Sequence, residues 1–202
     1  MSGAVSGAVT KRARAKLGRP FEAALERTHE VYAATGRAFV QRIHAPMRQV
    51  GGPLPSVPGL RVPPGAVMCV RSERSTTDYV GCLASGRAVY LEAKSCTEDR
   101  CAFYEEGSTR GGLREHQARV LEQVQALGGL GLALVLMPSG VWAVDGPTWR
   151  YVSTVAGRKS WSVALFDCHG LRVCGPDAAA RLCAGFGGQV DWLTAVERAG
   201  IA

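Results

Sequence analysis

Apolar side chains recur every three to four positions near the start of the chain, and this period predicts a helix over residues 19–34. Its inward stripe consists of Phe21, Leu25, Thr28 and Tyr32. Gly36 closes the predicted helix, because glycine readily adopts the left-handed backbone found at helix ends. Residues 37–44 and 67–71 follow as short predicted strands. The chain is therefore expected to open with a helix that packs on strands.

The hydrophobic period changes to two in the middle of the chain, where residues 79–83 and 87–94 predict the strands of a hairpin. Residues 84–86 form its short turn and include the glycine that such turns favour. In the second strand the side chains of Ala88, Tyr90, Glu92 and Lys94 share one face, whereas those of Val89, Leu91 and Ala93 take the other. The hairpin also brings Asp78, which precedes the first strand, close to Glu92.

Helical spacing returns over residues 113–127, after a predicted loop at 95–112. The stripe of this second helix consists of Leu113, Gln117, Val120, Val124 and Leu127. Residues 130–137 are continuously apolar, which is typical of a strand buried on both faces. Residues 141–144 and 149–153 are further predicted strands, with a turn at 145–147, and an alanine-rich helical stretch lies in 177–202. This order predicts an α/β fold with a central mixed sheet flanked by helices.

Composition indicates one folded, basic domain. The chain has 202 residues, of which 47% are hydrophobic and 20% charged, and it carries a net charge of +7. Such a charge favours polyanions such as nucleic acid, although an acidic membrane surface or simple solubility would also fit. Residues 1–16 read as a flexible basic arm without signal-peptide features, and the longest apolar run is too short to cross a bilayer. Seven cysteines, an odd number, suggest a reducing, cytoplasmic location.

The candidate chemistry lies in the hairpin. Two carboxylates, those of Asp78 and Glu92, would meet beside the ammonium of Lys94. Oxygen ligands of this kind suit Mg²⁺, with Mn²⁺ as a substitute, and such an ion polarises a phosphate and activates water. Taken alone, the same three charges also fit an exposed surface or a weak ion pair.

Four stretches that follow one another in order, together with further stretches on either side of them, resemble the RecU family of Holliday junction resolvases, within the PD-(D/E)xK nuclease superfamily. They are residues 75–81 (STTDYVG), 90–95 (YLEAKS), 113–117 (LREHQ), 128–136 (GGLGLALVL), 18–22 (GRPFE), 157–160 (GRKS) and 168–170 (CHG). The resemblance covers roughly residues 17–175. It implies a restriction-endonuclease-like core, and either a cellular or a phage source would fit.

The resemblance also implies a role for each matching residue. Asp78 and Glu92 would ligate the metal, and Lys94 would be the catalytic lysine. Glu22 would complete the site from the first helix, and Gln117 would lie near the scissile phosphate. The residues expected to contact DNA are Arg71, Thr76, Thr77, Arg158 and Lys159.

These observations predict a nuclease domain over residues 17–176, with a proline- and glycine-rich stretch at 45–66 in the place of the family's stalk, and a helical extension over 177–202. The expected activity is magnesium-dependent cleavage of four-way DNA junctions by a homodimer. Two alternatives remain open: a related nuclease that acts on flaps, ends or duplex DNA, and a non-catalytic junction-binding module. A metabolic enzyme finds little support, because the sequence contains no glycine-rich nucleotide-binding loop.

Overall fold

The computed structural model of the chain describes residues 6–44, 47–53, 67–71, 77–102, 112–158, 160–186 and 188–201. The strands are β1 Ala38–Arg42, β2 Met47–Pro53, β3 Val67–Arg71, β4 Tyr79–Leu83, β5 Ala88–Ser95, β6 Arg100–Ala102, β7 Leu130–Met137, β8 Gly140–Asp145, β9 Ser160–Ser162 and β10 Leu171–Cys174. The helices are α1 Ser6–Ala34, α2 Glu115–Ala126, α3 Gly146–Arg150, α4 Val163–His169, α5 Pro176–Cys183 and α6 Trp192–Arg198. A short π-helix, Tyr151–Val155, continues α3.

A six-stranded mixed sheet forms the centre of the fold, in the order β1-β4-β5-β7-β8-β10. Strands β5 and β7 run parallel, and the other neighbours in this sheet are antiparallel. Helices α1, α5 and α6 pack on one face, and helices α2, α3 and α4 pack on the other. The predicted α/β class is confirmed, and the arrangement is consistent with a restriction-endonuclease-like core.

Side chains of the central strands alternate between the two cores as their period requires. Val89 and Leu91 of β5 belong to the core beneath α1, whereas Tyr90 packs against the core beneath α2. All eight residues of β7 are buried, so this strand is covered on both faces as predicted. The face assignment of Glu92 and Lys94 follows from the same alternation, which places both on the α2 side of the sheet.

The predicted strand at residues 149–153 is wrong, because this segment is helical. Asp145 caps α3 by accepting a hydrogen bond from the backbone N–H of Thr148 at 2.7 Å, and Pro147 lies in the first turn, where a missing N–H costs nothing. Trp149 and Val152 are both buried, three positions apart as a helix requires. The predicted loop at 95–112 likewise contains a strand, β6, which pairs with β9.

The C-terminal half of α1 and the C-terminal segment of the chain pack together on one side of the sheet. Helix α1 begins at Ser6, well before the predicted start at residue 19 and within the segment predicted to be a flexible arm. The predicted helical content of 177–202 is present in α5 and α6. Trp192 of α6 is fully buried, and its indole N–H donates to His29 Nε2 of α1 at 3.2 Å. The C-terminal segment therefore completes the core beneath α1.

Part of the segment predicted as a stalk is a two-stranded ribbon. Strands β2 and β3 pair antiparallel, from Met47 opposite Arg71 to Pro53 opposite Val67. The proline-rich residues 54–66 between these strands lie outside the described residues. No helix within the described ranges combines the length and the apolar character needed to cross a membrane.

Candidate active site on the β4–β5 hairpin

Asp78 and Glu92 lie opposite each other on adjacent strands. Tyr79 of β4 pairs with Leu91 of β5, and the backbone N–H of Asp78 donates to Leu91 O at 3.1 Å. One further step along this register places Asp78 opposite Glu92, where side chains on the same face are about 5 Å apart at Cβ. The Asp78 carboxylate is held in place by the backbone N–H of Ala93, which donates to Oδ2 at 3.0 Å. The hairpin thus brings the two acids together as predicted.

Glu92 has an unusual environment for a carboxylate, because it is 0% exposed. Its Oε1 accepts hydrogen bonds from Lys94 Nζ and from Gln117 Nε2. Its Oε2 is buried and has no hydrogen-bond partner among the described residues. One oxygen of this acid therefore has two donors. The ionised form leaves the other oxygen without a donor, whereas the protonated form can donate a hydrogen bond to the Asp78 carboxylate.

The pKa of Glu92 is raised to about 7, because the effect of burial, with a smaller contribution from the nearby Asp78 carboxylate, outweighs the lowering effect of the Lys94 ammonium. A buried carboxylate beside a second carboxylate is unfavourable unless positive charge compensates it. The single ammonium of Lys94, whose side chain is 20% exposed, does not fully do so. The electrostatics of the site therefore favour an additional cation.

The donor set fits a hard divalent ion. The two carboxylates lie close together, and the unpartnered Oε2 of Glu92 could coordinate a cation directly. Within the described part of the chain, no three His, Cys, Asp or Glu side chains come together. A bound ion would take the rest of its ligands from water and substrate, which is the habit of Mg²⁺ at phosphate-processing sites.

Gln117 connects this acid pair to helix α2. Its Oε1 accepts a hydrogen bond from the backbone N–H of Arg114 at 3.0 Å, which caps the first turn, while its Nε2 donates to Glu92. The amide is therefore both a structural cap and a site residue. A glutamine at the third position of a helix is the capping-box residue, so this signal could have marked the start of α2 in the sequence, although the usual Ser or Thr at the N-cap is replaced by Arg114.

The buried face of α2 differs from the predicted stripe. It consists of Gln117, Ala118 and Leu121, whereas Leu127 is 89% exposed. Close packing on β7 fixes the helix, since a Cβ at Gly131 would lie 2.2 Å from Leu121 O. Only glycine permits this approach, and it holds α2 at the depth from which Gln117 reaches Glu92.

Glu22 is placed differently from the other predicted site residues. Its carboxylate accepts a hydrogen bond from Arg42, which also bonds Glu26 at 2.9 Å. Arg42 pairs in register with Tyr79, on the face of the sheet that carries α1. In this structure Glu22 therefore belongs to an ion-pair cluster on the side of the sheet opposite Glu92, and its catalytic role stays a prediction.

The predicted DNA-contacting residues are spread over several segments. Thr77 is buried, and its hydroxyl donates to Tyr79 O at 3.4 Å, so it supports the strand that follows Asp78. Arg158 is exposed just after the π-helix. Arg71 ends β3, and only its backbone is described, whereas Thr76 and Lys159 lie outside the described residues.

Comparison with models of known protein families identifies the family of this chain. The model of the RecU family, described as recombination protein U, matches residues 16–141. The chain belongs to the RecU family. The match includes Asp78, Glu92, Lys94 and Gln117 and confirms the predicted resemblance to RecU Holliday junction resolvases. No individual curated protein matches the chain.

Proposed function

We propose that this RecU family member is a structure-selective endodeoxyribonuclease that resolves four-way DNA junctions by metal-dependent hydrolysis. The observation that carries the proposal is the buried pair of Asp78 and Glu92, with the unpartnered Oε2 of Glu92 and the ammonium of Lys94 beside it. Buried acceptors without a donor are uncommon in folded proteins, and such an oxygen in an ionised carboxylate calls for a positive partner. A site that takes a cation with its substrate accounts for that oxygen.

Each residue has a distinct task in this proposal. Asp78 and Glu92 would hold Mg²⁺, or Mn²⁺ in its place, and Gln117 keeps Glu92 turned toward Asp78. When bound, the ion would polarise the scissile phosphodiester and lower the pKa of an attacking water. The Lys94 ammonium lies within hydrogen-bond distance of Glu92 and supplies positive charge for the phosphate oxygens as their charge develops.

Junction DNA is the substrate class that the family and the charge support. The chain carries a net charge of +7, which favours phosphate contacts. Contacts to the phosphate backbone position a protein without reading sequence, so recognition would rest on the branched shape. Arg158 offers one exposed cation to the DNA, and Arg71, Thr76, Thr77 and Lys159 are proposed to assist it.

Resolution needs a cut in each of two strands, and hence two active sites related by a two-fold axis. An apolar strip on the Glu92 face of the sheet supports dimerisation. Its members are Phe39, Val80, Cys82 and Ala88, which the strand registers place on this face. Phe39 is 54% exposed, and Cys82 and Ala88 are also exposed. We propose that this strip, which adjoins Asp78 and Glu92, contributes to the homodimer interface.

The decisive experiment compares a mobile four-way junction with linear duplex and flap DNA, each with and without Mg²⁺. Wild-type protein is expected to cut only the junction, and only with the metal. Asp78→Asn and Lys94→Ala are expected to abolish cleavage but to retain the junction in a gel-shift assay. Glu115→Gln serves as the control, because Glu115 is an exposed acid on α2 paired with Arg119.

Other outcomes of this experiment would reject the proposal. Equal cleavage of linear or flap DNA would favour a related nuclease of different substrate choice. Retention of the junction without products, at every metal concentration, would favour a non-catalytic binding module. Normal cleavage by either Asp78→Asn or Lys94→Ala would show that the site is assigned to the wrong residues.

A further inference from the structure

A cleft with a volume of about 370 Å³ lies between strand β10 and helix α6. Leu171 and Val173 of β10 pack against the core beneath α1, whereas Arg172 lies opposite Trp142, which belongs to the core beneath α2. All three residues of β10 line the cleft, although their side chains point to different faces of the sheet. The cleft therefore follows the edge of the strand rather than one face of the sheet.

This edge of β10 is free in the part of the chain that the structure describes. Strand β10 is the last strand of the six-stranded sheet, and it pairs with β8 on its inner side. A strand at the edge of a sheet presents N–H and C=O groups that an extended chain can pair with. The four residues of β10 span about 13 Å. The edge therefore offers backbone hydrogen bonds to a short segment, beside a cleft that accepts side chains.

Apolar side chains and two arginines line this cleft. Leu171, Val173 and Ala195 are half-buried and supply the apolar surface. Arg198 is exposed in the last turn of α6, and no described residue forms a hydrogen bond or an ion pair with its side chain. Arg172 is exposed on the α2 side of the edge. An occupant of the cleft would therefore meet apolar surface together with two cations.

The acids close to these arginines do not cancel their charge. Asp191, which lines the cleft, caps α6 and lies 3.5 Å from Arg37 Nη1, so its charge is already paired. Asp167 accepts a hydrogen bond from Arg172 at 2.7 Å, but both side chains are 44% exposed, and exposed pairs of this kind contribute little. Positive charge therefore prevails along the cleft, chiefly that of Arg198.

We propose that the free edge of β10 binds an extended acidic segment of another protein, which adds a strand to the sheet. Alternate side chains of such a segment would enter the cleft, and its carboxylates would meet Arg198 and Arg172. A second copy of this chain fits less well, because each copy carries the same two arginines and a net charge of +7. Nucleic acid would use the arginines but would leave the backbone groups of the edge unpaired.

The site is separate from the proposed active site. Strands β7 and β8 lie between β10 and β5, the strand that carries Glu92. The family model matches residues 16–141, whereas the residues that line the cleft lie between 171 and 199. Binding of the segment therefore needs neither DNA nor cleavage, and it is measured independently of the proposed nuclease function.

The test measures fluorescence anisotropy of a short labelled peptide of alternating glutamate and valine, added to the full-length protein. Wild-type protein is expected to bind this peptide but not a version with every backbone nitrogen methylated, because methylation removes the N–H groups that pair with an edge strand. Arg198→Glu should weaken binding at least about tenfold, since it replaces attraction by repulsion. Ala199→Trp should also weaken binding, because the larger side chain fills the cleft. In hydrogen-exchange measurements the peptide should protect the backbone amides of residues 171–174.

Arg181→Glu is the matched control, because Arg181 is an exposed arginine in the last turn of α5 and lies outside the cleft. This variant should bind the peptide as the wild-type protein does. Equal weakening by Arg181→Glu and Arg198→Glu would overturn the inference, since it would indicate attraction to basic surface in general.

Three further results would overturn the inference. The first is that the glutamate–valine peptide does not bind, and the second is that its methylated version binds equally well. The third is that four-way junction DNA displaces the peptide and Arg198→Glu no longer retains the junction in a gel-shift assay. That last result would assign the cleft to nucleic acid instead of a protein segment.

Discussion

Gln117 Nε2 donates a hydrogen bond to Glu92 Oε1 and so joins the first turn of α2 to the buried acid of β5. The same amide accepts from the backbone N–H of Arg114. One side chain therefore holds both the helix start and the orientation of the proposed metal ligand. Because the amide serves both groups, its removal should affect stability and cleavage together.

Gln117→Ala is expected to lower the free energy of unfolding by about 1–3 kcal/mol, since it removes a helix cap and a buried hydrogen bond. Cleavage of a four-way junction should also slow, because Glu92 loses the contact that orients it. Urea unfolding and single-turnover cleavage measure the two effects. Gln123→Ala, at an exposed position of the same helix, should change neither. An unchanged unfolding curve for Gln117→Ala would contradict the proposed cap.

Glu92→Gln is expected to stabilise the metal-free protein at pH 8 while ending cleavage. The pKa of Glu92 is about 7 in the folded protein and 4.5 in the unfolded chain. Between pH 4.5 and pH 7 the folded protein therefore keeps a proton that the unfolded chain has lost. The stability of the wild-type protein therefore falls as the pH rises through this window, by up to about 3 kcal/mol. A neutral glutamine avoids this loss and can donate its amide N–H to Asp78.

Urea unfolding at pH 5 and pH 8 without metal tests this expectation. Glu92→Gln should show a smaller loss of stability between the two pH values than the wild-type protein. Added Mg²⁺ should stabilise the wild-type protein at pH 8 and should have little effect on the variant. A variant that is less stable than the wild-type protein at pH 8 would argue that Glu92 is a satisfied structural residue.

His29 is expected to make the protein less stable as the pH falls, whereas Glu92 makes it less stable as the pH rises. Burial lowers its pKa to about 4, and its Nε2 accepts the indole N–H of Trp192, which requires a neutral ring. The unfolded histidine binds a proton near pH 6.5, so the free energy of unfolding should fall as the pH drops from 6.5 to 4, by up to about 3 kcal/mol. His29→Asn should lose less stability over this range in urea unfolding experiments.

The matched control for this prediction is His44→Gln, since His44 is exposed at the end of β1. Its stability should follow the wild-type protein at each pH. If His29→Asn and the wild-type protein lose equal stability between pH 6.5 and pH 4, protonation of His29 does not explain the acid sensitivity. The effects of His29 and Glu92 have opposite signs, so each is measured as a difference between wild type and variant.

Phe39→Glu tests the proposed dimer interface. A charge in the apolar strip should weaken association, because burying an unpaired carboxylate is unfavourable. Sedimentation velocity is expected to show a monomer, and junctions should be nicked in one strand rather than cut in both. Leu127→Glu changes another exposed apolar residue, at the far end of α2, and should leave the dimer intact. A dimeric Phe39→Glu protein would place the interface elsewhere.

The hairpin shows how far the sequence determines the candidate site. Strict alternation along β5 was enough to place Glu92 and Lys94 on one face, and a three-residue turn was enough to bring Asp78 opposite. Both results depend on local geometry alone. The burial of Glu92 could not be predicted in this way, because it depends on α2 and β7, which come later in the chain.

Other predictions failed where local patterns were ambiguous or where distant contacts decide. Residues 149–153 contain tryptophan, tyrosine and valine, which favour strands, but the cap at Asp145 and the proline at 147 start a helix instead. The ion pair between Glu22 and Arg42 could not be predicted either. Arg42 lies on β1, and the sequences of β1 and β4 do not by themselves determine how these strands pair. Helix capping and strand register explain these differences.

The parallel pairing of β5 with β7 has a consequence for how the protein matures. Asp78, Glu92 and Lys94 all lie within the first half of the chain, but β7 pairs with β5 only after α2 has crossed the sheet. The same crossover carries Gln117 to Glu92. A nascent chain that has emerged from the ribosome only as far as the hairpin therefore bears every charged group of the proposed catalytic centre, without the enclosure that gives them their chemistry.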